Sequence, residues 1–161
     1  MDNHSIHNAF IILHAASATI SFFAGCCLIL LPRYMVDQRL FHLYWWTLIG
    51  MVALLAGSII VYWMKYTSAE RIIFPGLFVL GLYMLFRARS AQYLLRSQPS
   101  DWKSTYVKDI GFTLISLFEG FVIVSGLNSG VPGALVALLA ILGVLLGRWA
   151  IRIAQQKAKS P

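Results

Sequence analysis

The stretch Ile110 to Leu127, IGFTLISLFEGFVIVSGL, constrains this chain most. A helix crossing the hydrocarbon of a bilayer needs roughly 20 predominantly apolar residues, and this stretch supplies them. Glu119 lies at its middle. On insertion scales an Asp, Lys or Arg at that depth costs about 2.5–3.5 kcal/mol. A carboxyl group placed there therefore needs a hydrogen-bonding partner or a task, and the remainder of the chain has to surround it accordingly.

Apolar character extends well beyond this segment. Of the 161 residues, 59% are hydrophobic and 12% charged, against roughly 25% charged in soluble domains. The deficit runs along the whole length and leaves no stretch for a soluble domain, so the expected class is an all-α integral membrane bundle in a single domain. The net charge of +7 is dispersed between apolar runs rather than gathered in one patch. It reads as topology signals and lipid-phosphate contacts, not as a nucleic-acid surface. The opening MDNHSIHN lacks the positive region of a cleavable signal peptide, so the first apolar run is expected to be retained as a span.

Five spans are expected, each helical because a lipid-exposed backbone must satisfy its own polar groups. They cover about residues 8–31, ended by Pro32; 41–64; 70–97, the last part an extension beyond the inner surface that stops before Pro99; 110–127; and 132–155, with Pro132 suited to a first helical turn. SQPSDWKS is expected as the longest polar connection, and the tail QQKAKSP as frayed. Lys65 and Arg71 fall on one side of the membrane. Arg33, Arg39, Arg87, Arg89, Arg96, Lys103, Lys108, Arg148, Arg152, Lys157 and Lys159 fall on the other. The positive-inside rule then predicts the N-terminus outside and the C-terminus inside.

Small residues mark where helices can approach, since packing drives association in lipid. Ser17, Ser21 and Gly25 recur on the first helix, Gly50 and Gly57 share a face of the second, and Gly143 and Gly147 form a GxxxG on the fifth. That last face suits either packing within the chain or contact with a partner chain. Arg87, Arg89 and Arg96 follow an apolar run and are placed to snorkel to lipid phosphates.

Groups that could carry chemistry are few. Ser116 shares the face of Glu119 at helical spacing. Three roles fit the pair: a protonated carboxyl hydrogen-bonded to a neighbouring helix, a proton or cation path, or a polar contact with a partner subunit, cofactor or quinone-like ligand. The other acids, Asp109 among them, sit at expected helix ends or in loops, where solvated roles are the rule. His14 lies about one turn inside the outer end of the first helix and His42 at the inner end of the second, too far apart to share one cofactor. A haem b would need a two-fold partner, a Met ligand such as Met64 opposite His14, or a His from another protein. His4, His7 and His14 could together form an outer metal site. The alternative is that these histidines simply hydrogen-bond near the interface. Cys26 and Cys27 are expected to be buried thiols acting as small hydrophobes. No nucleophile–base pattern, CxxC, HExxH or phosphate loop is present, so the chain is not expected to be an enzyme.

LHAASATISFFAGCCLILLPR and FHLYWWTLIG resemble the first half of a widespread, uncharacterised family of small bacterial integral membrane proteins. In that family a first-helix His precedes a small-residue-rich span and a short basic loop, and the second helix opens with His–Arg–x–x–Gly. His14 and His42 stand at the matching places, while Leu43 and Trp46 replace the Arg and the Gly. The resemblance covers about residues 10–64 and implies a helical scaffold in a bacterial inner membrane.

Taken together, the sequence leads to the expectation of a non-catalytic polytopic protein acting as an accessory or assembly subunit of a larger membrane complex. Its expected partners are lipids and other membrane subunits or further copies of itself. A haem- or quinone-binding redox module using His14 or His42 is the first alternative, and a small proton-coupled transporter around Glu119 the second.

Overall fold

A computed structural model describes residues 3–159; the side chains of residues 3, 4, 32, 127, 128, 134 and 157–159 lie outside the description. Five helices follow one another: α1 (Asn3–Leu30), α2 (Gln38–Tyr62), α3 (Glu70–Ser97), α4 (Trp102–Asn128) and α5 (Gly133–Lys159), with short 3₁₀ turns at Pro32–Tyr34 and Trp63–Lys65. No strand occurs among the described residues. Four helical stretches, Ser5–Leu30, Gln38–Lys65, Glu70–Ser97 and Leu135–Gln156, are long and apolar enough to cross a membrane. These residues present many large apolar side chains outward, including Ile12, Phe23, Ile60, Ile72, Leu145 and Leu146, which suits a surface solvated by lipid rather than water.

Local chemistry sets the helix ends. The Asp37 carboxylate caps α2 by accepting from the amides of Arg39 at 2.8 Å and Leu40 at 3.3 Å. Thr67 and Glu70 form a reciprocal capping box ahead of α3: the Thr67 amide donates to Glu70 Oε2 at 2.8 Å, and the Glu70 amide to Thr67 Oγ1 at 3.3 Å. The α3 span matches the expected 70–97, with Gln98 closing the helix in a left-handed conformation.

The next helix begins earlier than expected. The polar connection shrinks to Gln98–Asp101, because left-handed backbone at both ends (φ 41° and 63°) reverses the chain within that stretch. From Trp102 onward an apolar face recurs every fourth residue. Trp102 packs edge-on to Tyr106, Tyr106 lies 6.4 Å from Phe41, and Ile110 is fully buried. That face carries helix straight through residues expected to form a loop. Asp109 consequently lies within α4 rather than at its start.

α4 occupies the centre. It packs against α1, α3 and α5, and more of its positions are buried than on any other helix. α1 and α2 form an antiparallel pair: Phe10 fills the space beside Gly57, Ser17 faces Gly50, and Ser21 hydrogen-bonds Thr47 at 2.7 Å. Gly25 admits Leu114, joining α1 to α4.

α5 packs along α4 through glycines on both helices. A Cβ on Gly111 would stand 2.6 Å from Ile151, one on Gly126 2.5 Å from Val136, and one on Gly147 2.5 Å from Ile115. Gly143 and Gly147, the expected GxxxG, thus face α4 of the same chain.

This seam predicts a contrast between two glycines of one helix. Gly120 has nothing within 4 Å of its would-be Cβ, so Gly120→Ala should be neutral or gain up to about 1 kcal/mol from helix propensity. Gly111→Ala should lose about 1–3 kcal/mol through overpacking and recover when Ile151 is also changed to Ala. Detergent-phase unfolding curves measure both, and equal shifts would contradict the seam.

Candidate functional site: a buried polar stripe on the central helix

Tyr106, Asp109, Thr113 and Ser116 are spaced three, four and three residues apart, which puts them on one side of α4. Glu119 follows one turn on. All five are buried. The neighbouring helices are arranged to meet them.

α3 supplies the counter-charge. Arg87 Nη2 lies 2.7 Å from Asp109 Oδ1, with side-chain exposures of 19% and 5%. The guanidinium also lies 5.4 Å from the centre of the Phe112 ring, a favourable cation–π placement. Asp109 is therefore an interior ion-pair partner and not the solvated helix-end acid expected from sequence. Arg87 turns toward α4, whereas Arg89 and Arg96 are exposed. α2 supplies a hydroxyl: Tyr44, fully buried, donates to Thr113 Oγ1, which in turn donates to the Ile110 carbonyl at 2.7 Å. Among the described residues, Arg87 Nε, Tyr106 OH, Asp109 Oδ2 and Glu119 Oε1 are buried without a hydrogen-bond partner.

Glu119 lies in the α4–α5 seam. Its Oε1 occupies the space that a side chain at Gly143 would take, and the Phe118 ring closes the same gap. One half of the GxxxG thus admits the carboxyl group. Ser116 is buried on the same helix one turn earlier.

The histidines lie elsewhere. His14 donates Nδ1–H to the Met51 carbonyl at 2.8 Å, tying α1 to α2 and leaving Nε2 as its other ring nitrogen. His7 is buried and stacks on Tyr62 with ring centroids 4.0 Å apart, its Nδ1 lying 3.1 Å from Ser58 Oγ. His42 is exposed and donates Nδ1–H to the Gln38 carbonyl at 2.6 Å. The pairings of His14 with Met51 and His7 with Ser58 fix the register of α1 and α2. Met64 falls thirteen residues beyond Met51, roughly 20 Å along a helix axis, and is 86% exposed. It is not opposite His14, and the proposed His14–Met64 ligand pair is corrected on that geometry. The side chain of His4 lies outside the described residues. Among the described residues no three His, Cys, Asp or Glu groups converge to hold a metal ion. Cys26 and Cys27 are free thiols, each half-buried.

Sequence reasoning missed Arg87, Asp109, Tyr44, Tyr106 and Thr113 as one assembly. Two signals were available: the spacing of Asp109, Thr113 and Ser116 ahead of Glu119, and charges of opposite sign near the ends of consecutive helices. Comparison with protein families, with curated proteins and with solved structures found no match.

Removing one member of a buried ion pair strands the other, at a cost of about 3–5 kcal/mol, while apolar replacement of both is often neutral or better. Arg87→Met and Asp109→Leu should therefore each destabilise the bundle strongly, and the double variant should recover most of the loss. A double-mutant cycle in detergent measures this; additive losses would show that the pair does not couple α3 to α4.

Proposed function

We propose that the chain is a five-span membrane protein of a bacterial inner membrane, with its N-terminus outside and its C-terminus inside. In this reading it has no catalysis of its own and serves as an accessory or assembly subunit of a larger membrane complex. α4 is the fifth span, held among the other four. The charge distribution supports the orientation, and the resemblance over residues 10–64 supports the setting.

The observation that carries the reading is how interior polar groups are used. His14 and Ser21 join α1 to α2, Tyr44 joins α2 to α4, Arg87 joins α3 to α4, and Gln155 Nε2 joins α5 to α4 by donating to the Ser104 carbonyl at 3.1 Å. Such ties build a scaffold. Glu119 Oε1 is buried in the α4–α5 seam without a hydrogen-bond partner, so a donor from a neighbouring subunit would have to reach the carboxyl group at its other oxygen.

A second reading, a proton-coupled transporter, draws on the stripe itself. Asp109, Thr113, Ser116 and Glu119 give buried polar groups over about 15 Å of helix at 1.5 Å per residue. Ionisable groups inside a membrane commonly mark proton relays.

One experiment addresses both. The protein is extracted gently from its native membrane, and the mass of the intact particle is measured for wild type, Glu119→Gln and Glu119→Leu. An accessory subunit should run in a particle exceeding the 18.0 kDa chain with other proteins bound. Glu119→Gln, which can still donate and accept, should retain that particle. Glu119→Leu should weaken it by up to about 1–2 kcal/mol, the range of an interhelical polar contact. An isolated chain for all three proteins would overturn the accessory reading. Flux driven by a pH gradient in liposomes, abolished by Glu119→Gln with the fold intact, would favour the transporter.

A further inference from the structure

Among the described residues Arg87 and Asp109 form the single salt bridge, so the exposed cations Lys108, Arg148 and Arg152 hold no carboxylate. Helix geometry gathers these three. On α4, Ser104, Lys108 and Gly111 recur at helical spacing. The Ser104 carbonyl accepts from Gln155, and Gly111 faces Ile151, so Lys108 emerges beside α5 at the level of residues 151–155. On α5, Arg148 and Arg152 each follow a residue in the seam, Gly147 and Ile151. One residue turns a helix by about 100°, so both arginines leave the seam on one flank. Lys108 leaves it toward Asp109, which faces α3. In two antiparallel right-handed helices a forward step from the seam leads to the same flank on each, so all three cations stand on the α3 side.

That flank is open. α3 and α5 each pack on α4, and α4 itself shows between them: Thr105 and Lys108 are exposed although the helix is central, and Phe112, on the same face, is half-buried. Tyr83 of α3 meets the Phe112 ring edge-on at 5.1 Å, with the Phe86 ring beside it at 6.2 Å. On α5, Ile141 and Leu145 share the face of Arg148 and are exposed. A cationic cluster thus stands at the end of an apolar trough that runs toward the middle of the bundle.

We propose that this trough holds one anionic phospholipid, its phosphate among Lys108, Arg148 and Arg152 and an acyl chain along Phe112 and Leu145. The inference rests on the membrane setting proposed above, but not on the orientation or the assembly role. Charge supplies the first argument, since arginine forks match phosphate oxygens bidentately and basic pockets between membrane helices suit lipid headgroups. Reach supplies the second: long basic side chains lay their stems on apolar surface and carry their charges to the phosphate level. Continuity decides for a lipid rather than free phosphate or an acidic peptide. The cations border the exposed side chains of Phe86, Ile141 and Leu145, a surface that a soluble anion would leave bare.

The purified full-length protein is titrated in detergent with phosphatidylglycerol or phosphatidylcholine, and bound lipid is counted by native mass spectrometry. Circular dichroism confirms the fold of each variant. Wild type should retain phosphatidylglycerol in preference to phosphatidylcholine. Lys108→Gln, Arg148→Gln and Arg152→Gln combined should lower that retention by about tenfold or more, since each basic residue near a membrane surface contributes roughly fivefold. Arg33→Gln with Arg39→Gln, which removes exposed charge on the α1–α2 side, should leave it unchanged. Undiminished retention by the triple variant, equal retention of the two lipids, or an equal loss per charge in the α1–α2 variant would each overturn the site. Displacement by excess inorganic phosphate or by an acidic peptide would overturn the lipid as its ligand. Neither orientation nor a partner protein enters a titration in detergent, so its failure is distinct from the loss of a larger native particle.

Discussion

In the proposed five-span arrangement, a helix with Asp109 and Glu119 exposed to hydrocarbon would leave both carboxyl groups without a partner, whereas Thr113 bonds the Ile110 carbonyl of its own helix. Water is not there to satisfy them, and in an apolar medium an uncompensated hydroxyl or amide costs several kcal/mol and a bare charge far more. The only stable place for α4 is among other helices. Its central position, with α1, α3 and α5 packed on it, follows from that constraint. Three helices each contribute one polar tie to α4: a guanidinium from α3 to Asp109, a phenol from α2 to Thr113, and a carboxamide from α5 to the Ser104 carbonyl.

Close approach completes the arrangement. The attraction between two helices in lipid comes from packing and hydrogen bonds rather than from escape of apolar surface from water. Glycines at Gly111, Gly126, Gly143 and Gly147 bring α4 and α5 into contact, and Ile151, Val136, Glu119 and Ile115 fill the space they leave. Gly143 has the additional effect of admitting the Glu119 carboxyl into the seam. Packing and polar chemistry are thus coupled at one residue. Enlarging Gly143 would displace the carboxyl as well as the helix.

Much of this was legible in the sequence. The runs of apolar residues announce helices of spanning length, and α3 matches its expected bounds. Gly25, Gly57, Gly143 and Gly147 lie against side chains of neighbouring helices, and Ser21 bonds Thr47. The start of α4 was not legible, because Lys103, Lys108 and Asp109 lower the polarity contrast that marks a helix end in lipid. Only the fourfold recurrence of Trp102, Tyr106 and Ile110, turned onto Phe41, reveals helix there. The inward turn of Arg87 was hidden for a similar reason. An arginine after an apolar run reads as a lipid anchor, and its carboxylate partner lies on another helix. Histidine roles depended on register, a tertiary quantity: His14 meets the Met51 carbonyl rather than a sulfur ligand.

The central claim is that the polar face of α4 is sheltered by protein, although Phe118 and Phe121 of the same helix are exposed, while its neighbours face lipid. Labelling of the protein in its native membrane with a lipid-soluble, carbene-forming reagent, mapped by peptide mass spectrometry, tests it most directly. The account predicts strong labelling at Leu138, Ile141 and Leu145 of α5 and at Ile12 and Phe23 of α1, all exposed. It predicts little at Ile110, Thr113, Ser116 and Leu117 of α4, all buried. Labelling of these α4 positions as heavily as those of α5 would contradict it.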